Sequence, residues 1–256
     1  METVVIKCGG SVLEELNDNF FNSLKELMED GFYPVIVHGG GPAINYMLDL
    51  YGIPAVFKEG LRVTCEKTIG IVEMVLSGQT NRRLCSMLMK QDFNALGING
   101  SDGLCLQAEY IDKQSLGYVG SITQVNTDLI MLALQNGYIP VITPIGIAKD
   151  GSKLNINGDY AAASIAKALK AERCAFVTNV DGVQIDGKLV TEMTDSQIES
   201  YISDGSIYGG MVPKVKSALT ATAAGVDPVM IISGKKRFYK NNCWHGTAIA
   251  AKEEVF

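Results

Sequence analysis

Residues 3–11, Thr3-Val4-Val5-Ile6-Lys7-Cys8-Gly9-Gly10-Ser11, place an apolar run directly before a paired-glycine loop. The pattern returns at 33–42, where Tyr33-Pro34-Val35-Ile36-Val37 leads into His38-Gly39-Gly40-Gly41-Pro42. Between them, Asn17 to Glu29 carries Phe20, Phe21, Leu24, Leu27 and Met28 on one helical face, and Gly31 stops the helix. Pro42 sits where a helix begins, and Ile44, Met47, Leu48 and Tyr51 continue that helix to Gly52. Strand, glycine loop and helix thus occur twice in succession. Backbone without a Cβ can approach a ligand closely, and amides at a following helix N-terminus attract anions. Two such loops, one with a lysine, point to a site for a phosphorylated molecule.

Outward from this stretch, Val56 to Thr64 reads as a hairpin and Glu66 to Met89 as a long helix interrupted by Gly70 and Gly78. Strands are expected around Gly97-Ile98-Asn99-Gly100-Ser101-Asp102-Gly103 and at Tyr138 to Thr143, with a helix over Thr127 to Gln135. After the tight turn Lys149-Asp150-Gly151-Ser152, Asp159 opens a small-residue helix, and Cys174 to Thr178 is a strand ending in Asn179-Val180-Asp181-Gly182. Helices over Ser196–Ile202 and Val215–Ala224 and a strand over Pro228–Ile232 complete the pattern. Strands that are apolar throughout, rather than alternating, are parallel and covered on both faces. The expected fold is α/β, a three-layer αβα sandwich around a mainly parallel central sheet. It forms one domain, 1–256, in two lobes of roughly 1–153 and 154–256, joined near 150–158.

The 256 residues are 47% hydrophobic and 20% charged, ordinary for a globular chain, with a net charge of −6 that opposes nucleic-acid binding. No run approaches the ~20 apolar residues of a membrane span. Only four residues lie between Glu2 and Lys7, which leaves no room for a signal peptide, so a cytoplasmic protein is expected. The six cysteines have neither C-x-x-C pairing nor a histidine at zinc spacing, and read as reduced, mostly buried thiols.

In a doubly wound sheet the loops at 7–11, 38–42, 99–103 and 178–182 converge on the carboxyl edge of the strands, where ligands bind. A lone glycine turn is ordinarily just a turn; four on one edge favour a site. Neither leading loop is a P-loop or a dinucleotide fingerprint. No G-x-S-x-G elbow is present, and with only His38 and His245 a hydrolase triad is not supported. Lys7 is either a surface charge or a pocket cation. Lys214, in the first turn of a helix after Gly209-Gly210-Met211-Val212-Pro213, opposes the helix dipole unless an anion shares the site. Asp159, after Asn155-Ile156-Asn157-Gly158, serves as a cap or as a functional carboxylate. Arg62 on the hairpin is suited to bidentate carboxylate binding or is a solvated residue. His38 is a base or a ligand of its own loop, and Lys235-Lys236-Arg237 is most simply a solvated turn.

Taken together, Lys7-Cys8-Gly9-Gly10, Val37 to Gly41, Gly60-Leu61-Arg62-Val63-Thr64, Asn155 to Asp159, Val180-Asp181-Gly182-Val183 and Gly210 to Lys214 resemble the amino acid kinase family over essentially the whole chain. The Gly-Leu-Arg-Val-Thr element resembles its acetylglutamate branch. The resemblance implies transfer of the ATP γ-phosphoryl group to the side-chain carboxylate of N-acetyl-L-glutamate, with Mg²⁺ carried by the nucleotide and no protein metal site. It implies that Lys7 and Lys214 flank the moving group and that Asp159 holds both. It further implies that Gly9, Gly10, Gly40 and Gly41 offer amides while Arg62, Asn155 and Asn157 fix the substrate. The nucleotide is expected near Thr178, Asn179, Val180, Asp181 and Gly182 and near Ser206, Ile207, Tyr208, Gly210 and Met211.

Two positions depart from the family pattern: Gly158 stands for the usual alanine and Asn179 for an aspartate. The lack of the N-terminal helix that builds arginine-inhibited hexamers in relatives implies a homodimer, dimerising through the first lobe, with little arginine feedback. A sister kinase for acetylaminoadipate, one methylene longer, and a silent amino-acid sensor are the alternatives. Keeping Lys7, Asp159 and Lys214 together argues against the sensor.

Overall fold

Val4 and Ile6 point to one face of the central sheet and Val5 to the other, and all three are fully buried. That is why the first strand shows an unbroken apolar run. The computed structural model describes residues 1–250. The strands used below are β1 (Glu2–Cys8), β2 (Phe32–His38), β3 (Ala95–Asn99), β4 (Leu106–Tyr110), β5 (Val119–Val125), β6 (Ile139–Thr143), β7 (Ile145–Ile147), β8 (Lys153–Ile156), β9 (Arg173–Thr178), β10 (Glu192–Thr194), β11 (Val229–Ser233) and β12 (Thr247–Ala250). Eight of these form one sheet in the order β10-β12-β11-β9-β1-β2-β6-β3, parallel throughout except for the β11–β12 pair.

The helices are α1 (Asp18–Glu29), α2 (Gly41–Leu50), α3 (Glu66–Glu73), α4 (Asn81–Met89), α5 (Asp128–Gln135), α6 (Gly158–Leu169), α7 (Asp195–Ser203) and α8 (Met211–Ala223). Phe20 and Leu24 of α1 and Leu84 and Leu88 of α4 cover one face of the sheet. Ile130 of α5, Ala162 and Ile165 of α6 and Ala218 of α8 cover the other. Small alanines on α6 let it lie close to the sheet, so the three-layer sandwich expected from the sequence is the observed one. A third apolar cluster joins Ile44 and Leu48 of α2 to Val72 and Leu76.

Three local features differ from the sequence reading. The segment Glu66–Met89 is not broken at Gly70; α3 and α4 are continuous through a π-helical stretch, Met74–Thr80, that contains Gly78. A π-bulge of this kind often marks a functional region, and here it brings Leu76 and Thr80 against Gly40. Strands β4, β5, β7 and β8 close into a small separate barrel, and the Lys149–Ser152 turn joins two of its antiparallel strands. Finally, α6 is capped by Asn157, whose side chain accepts from the amides of Asp159 at 2.8 Å and Tyr160 at 3.4 Å. Asp159 is thereby released from capping.

Candidate active site

The parallel order of β1, β2 and β9 puts the loops that follow them on one edge of the sheet. The first two loops touch. A Cβ on Gly10 would stand 2.8 Å from the Gly40 Cα, closer than real Cβ atoms come, so only glycine fits. The Gly39 amide donates to the Cys8 carbonyl at 2.9 Å, which ties the two strand ends together. Below the second loop, His38 is fully buried. Its Nδ1 bonds the Gly39 carbonyl at 3.0 Å, while its Nε2 lies 3.2 Å from both the Thr143 hydroxyl and the Asn81 amide nitrogen. Nδ1 therefore carries the proton and Nε2 accepts. Burial pushes this imidazole down to about 4, so it is neutral and committed to holding the loop. It is not a base.

Two cavities open at this edge and adjoin at Gly158–Asp159. The first is lined by Gly39, Gly40 and Gly41, by Leu76, by Arg62 from the 57–62 hairpin, and by Asn155, Asn157 and Gly158. Arg62 is only 7% exposed. Its Nη2 donates to Asn45 Oδ1 at 2.6 Å and to the Gly41 carbonyl at 3.4 Å, and the guanidinium lies 4.7 Å from the Phe57 ring centroid. Its Nη1 is buried without a hydrogen-bond partner among the described residues. An orphaned buried cationic donor costs several kcal/mol unless a ligand satisfies it. Asn155 Nδ2 donates to Thr64 Oγ1 at 3.2 Å, which fixes the far wall.

The second cavity is lined by Lys7, Gly9, Asp159, Thr178 and Lys214 among others. Lys7 Nζ and Asp159 Oδ1 meet at 2.6 Å, with side chains 18% and 23% exposed. Lys214 does not share that carboxylate; its Nζ donates to Asn179 Oδ1 at 2.8 Å. Burial lowers the affinity of Lys214 for its proton, nearby Glu15 opposes that shift, and Lys7 adds to it. The arrangement gathers two cations, one carboxylate and a pair of glycine loops around a cleft that suits an anion.

The remaining residues of interest distribute unevenly. The Thr178 hydroxyl donates to the Val180 carbonyl and so shapes the 178–182 loop. Asp181 pairs with Lys236 at 2.6 Å. Gly182 packs against Leu189 and Thr247, away from either cavity. In the 206–211 segment, Ile207 is buried in the core, Tyr208 is 77% exposed, and the Ser206 amide bonds Asp204. The loop at 99–103 does not join the site: Asn99 Nδ2 donates to Glu73 at 3.0 Å and to Ser77 at 2.9 Å, and the loop lines neither cavity. Nor is 235–237 merely solvated, because Lys235 pairs with Glu15, Lys236 with Asp181 and Arg237 with Glu26. A Cβ on Gly158 would make only ordinary contacts, at 3.6 Å or more, with Lys7, His38 and Gly39, so this position would accept an alanine. Four cysteines are buried and free, while Cys65 and Cys243 are exposed.

Asn45 escaped the sequence reading because nothing in α2 distinguishes it. Its signal is positional, one turn beyond Gly41 and facing Arg62.

A model of the amino acid kinase family matches residues 2–233. The acetylglutamate kinase of Geobacillus kaustophilus (strain HTA426) is 49% identical over 255 residues, covering 100% of this chain and 99% of that protein. Among solved structures, the Streptococcus mutans UA159 protein smu.665 superposes with a TM-score of 0.84 at 34% identity, covering 98% of this chain and 99% of that one. The N-acetylglutamate synthase from Neisseria gonorrhoeae, solved with coenzyme A and N-acetyl-glutamate, gives a TM-score of 0.79 at 25% identity, covering all of this chain and 60% of that protein. The glycine loops and paired lysines therefore sit in a scaffold whose likeness to these proteins extends from end to end, and the chain belongs to the amino acid kinase family.

Proposed function

We propose that the protein is an ATP-dependent kinase that phosphorylates the side-chain carboxylate of N-acetyl-L-glutamate to N-acetyl-L-glutamyl 5-phosphate, the second step of arginine biosynthesis. Full-length similarity to acetylglutamate kinases supports this reading. The structural observation that carries it is the buried Nη1 of Arg62, without a partner among the described residues, a carboxylate-seeking donor in a cavity that adjoins the Lys7–Asp159 pair.

We assign the acceptor to the first cavity. Arg62 takes the α-carboxylate of the substrate, with Asn155 and Asn157 beside it, and the amides of Gly9, Gly10, Gly40 and Gly41 face the reacting end. The nucleotide is assigned to the second half of the chain, near Thr178 to Gly182 and Ser206 to Met211. The acceptor carboxylate has a pKa near 4.3 and is ionised at neutral pH, so no general base is required. One of its oxygens attacks the γ-phosphorus, the bond to the β–γ bridging oxygen breaks, and ADP leaves with that electron pair. Lys7 and Lys214 offset charge on the equatorial oxygens, and Asp159 fixes Lys7. Among the described residues no cluster of three His, Cys, Asp or Glu side chains is placed to hold a metal. Mg²⁺ would be held mainly by the nucleotide phosphates and would supply charge neutralisation there.

Among the described residues no helix is long and apolar enough to cross a membrane, and a biosynthetic role of this kind fits a cytoplasmic homodimer. A hydroxamate assay with ATP, Mg²⁺ and acetylglutamate, glutamate or acetylaminoadipate tests the assignment. Acyl phosphate is expected from acetylglutamate in preference to the other two. Its absence there would reject the reading, and preference for acetylaminoadipate would identify the sister activity, since one methylene is worth only ~1–3 kcal/mol of discrimination.

A further inference from the structure

Lys214 lies in the first turn of α8, where the helix dipole disfavours a cation. Three charged groups share its surroundings: Lys7 from β1, Asp159 from α6, and Glu15 from the short turn after the first glycine loop, itself paired with Lys235 at 3.1 Å. Asp159 is already engaged by Lys7. Among the described residues Lys214 has no carboxylate within ion-pair distance. Its side chain is held instead by a neutral acceptor, Asn179 Oδ1, at 2.8 Å.

We propose that Asn179 is a positioning residue for Lys214, fixing the amine at the mouth of the nucleotide cavity through an uncharged contact that leaves its full positive charge for a phosphoryl oxygen. An amide oxygen restrains an ammonium by one hydrogen bond without neutralising it. A carboxylate at the same place would bind the amine more tightly and compete with the phosphate for it. Two lysines at one site are thus handled differently. Lys7 is held by a full ion pair, and Lys214 by an amide that yields readily to a stronger anion. The inference rests on the kinase reading for its catalytic consequence but not for the contact itself.

The test combines NMR titration of ¹³C-labelled lysine side chains in the nucleotide-free protein with turnover measurements on wild type, Asn179→Asp, Asn179→Ser and Asn179→Ala. The Lys214 signal is assigned by its loss in Lys214→Arg. Asn179→Asp is expected to raise the Lys214 pKa by about one unit and to move the alkaline limb of kcat upward with it. Asn179→Ala is expected to lower kcat about tenfold while the acceptor KM stays within about twofold, with Asn179→Ser, which keeps an oxygen acceptor, in between. Asn179 is exposed, so thermal midpoints should stay near wild type. An unchanged Lys214 titration in Asn179→Asp, or wild-type turnover in Asn179→Ala, would overturn the assignment. Failure of the wild type to make acyl phosphate would instead reject the kinase reading while the NMR arm still decides the contact.

Discussion

Lys7 Nζ lies 2.6 Å from Asp159 Oδ1, joining the end of the central strand β1 to the first turn of α6 and so binding the two halves of the chain at the cleft. The pair exists because Asn157, not Asp159, caps α6. Replacing Asp159 by Asn keeps the shape and removes the charge. The expected result is a fall in kcat of about 10- to 100-fold, with the ATP KM changed much less, because Lys7 loses its alignment rather than its charge. Steady-state kinetics on Asp159→Asn check this, and a variant with wild-type kcat would show that Lys7 is placed by the loop alone.

Arg62 should govern acceptor binding. Its guanidinium is gripped by Asn45, the Gly41 carbonyl and the Phe57 ring, which leaves Nη1 for the ligand. Arg62→Lys keeps a charge but loses the planar fork, and should raise the acceptor KM about tenfold or more with a smaller effect on kcat. Asn45→Ala should act in the same direction and more weakly, about two- to fivefold by loss of one hydrogen bond from the grip. Acceptor KM values for the two variants decide it; no change in either would remove Arg62 from the acceptor site.

Gly10 and Gly41 should respond differently to alanine. At Gly10 a Cβ collides with the Gly40 backbone at 2.8 Å, whereas at Gly41 it meets nothing within 4 Å and projects into open space beside the cleft. Gly10→Ala should lower the thermal midpoint by several degrees, corresponding to about 1–3 kcal/mol of overpacking. Gly41→Ala should leave it within about 2 °C but raise the acceptor KM. Thermal melts and kinetics on both variants separate the outcomes, and equal loss of stability in the two would contradict the packing argument.

His38 should make stability, not catalysis, depend on pH. Its folded pKa of about 4 lies below the 6.5 of an exposed histidine. The unfolded chain therefore binds the extra proton first as pH falls. The stabilisation is complete above about pH 6.5 and is lost progressively toward pH 4, amounting to on the order of 3 kcal/mol. Urea unfolding of wild type and His38→Gln between pH 7 and 4.5 gives the difference. A steeper loss in wild type than in the variant is expected, and parallel curves would contradict it.

The central sheet and the glycine loops were legible because buried parallel strands are written as continuous apolar runs that lead into glycine-containing loops. Val4 to Ile6, Val35 to Val37 and Cys174 to Val177 are all of this kind. The small barrel was not, since β7 and β8 span only Ile145–Ile147 and Lys153–Ile156, too short for a periodic signal, and β5 mixes exposed with buried positions. Lys7, Arg62 and Asp159 were singled out by the motifs around them, and the structure pairs Lys7 with Asp159 and sets Arg62 in the adjoining cavity. Contacts between distant segments were not. Lys235 to Glu15, Arg237 to Glu26, Lys214 to Asn179 and Asn45 to Arg62 depend on tertiary approach that no spacing encodes. The loop at 99–103 misled because its strand, β3, lies at the sheet edge, so its carboxyl end falls outside the cleft that β1, β2 and β9 share.

Lys7 is proposed to act on the phosphoryl group in transfer rather than as an anchor for either substrate. Steady-state turnover of Lys7→Ala, measured by hydroxamate formation from ATP and acetylglutamate, tests it most directly. The expected result is kcat lowered about 100-fold or more with both KM values within about threefold of wild type. Wild-type turnover with KM values raised in proportion would contradict it and make Lys7 a binding residue only.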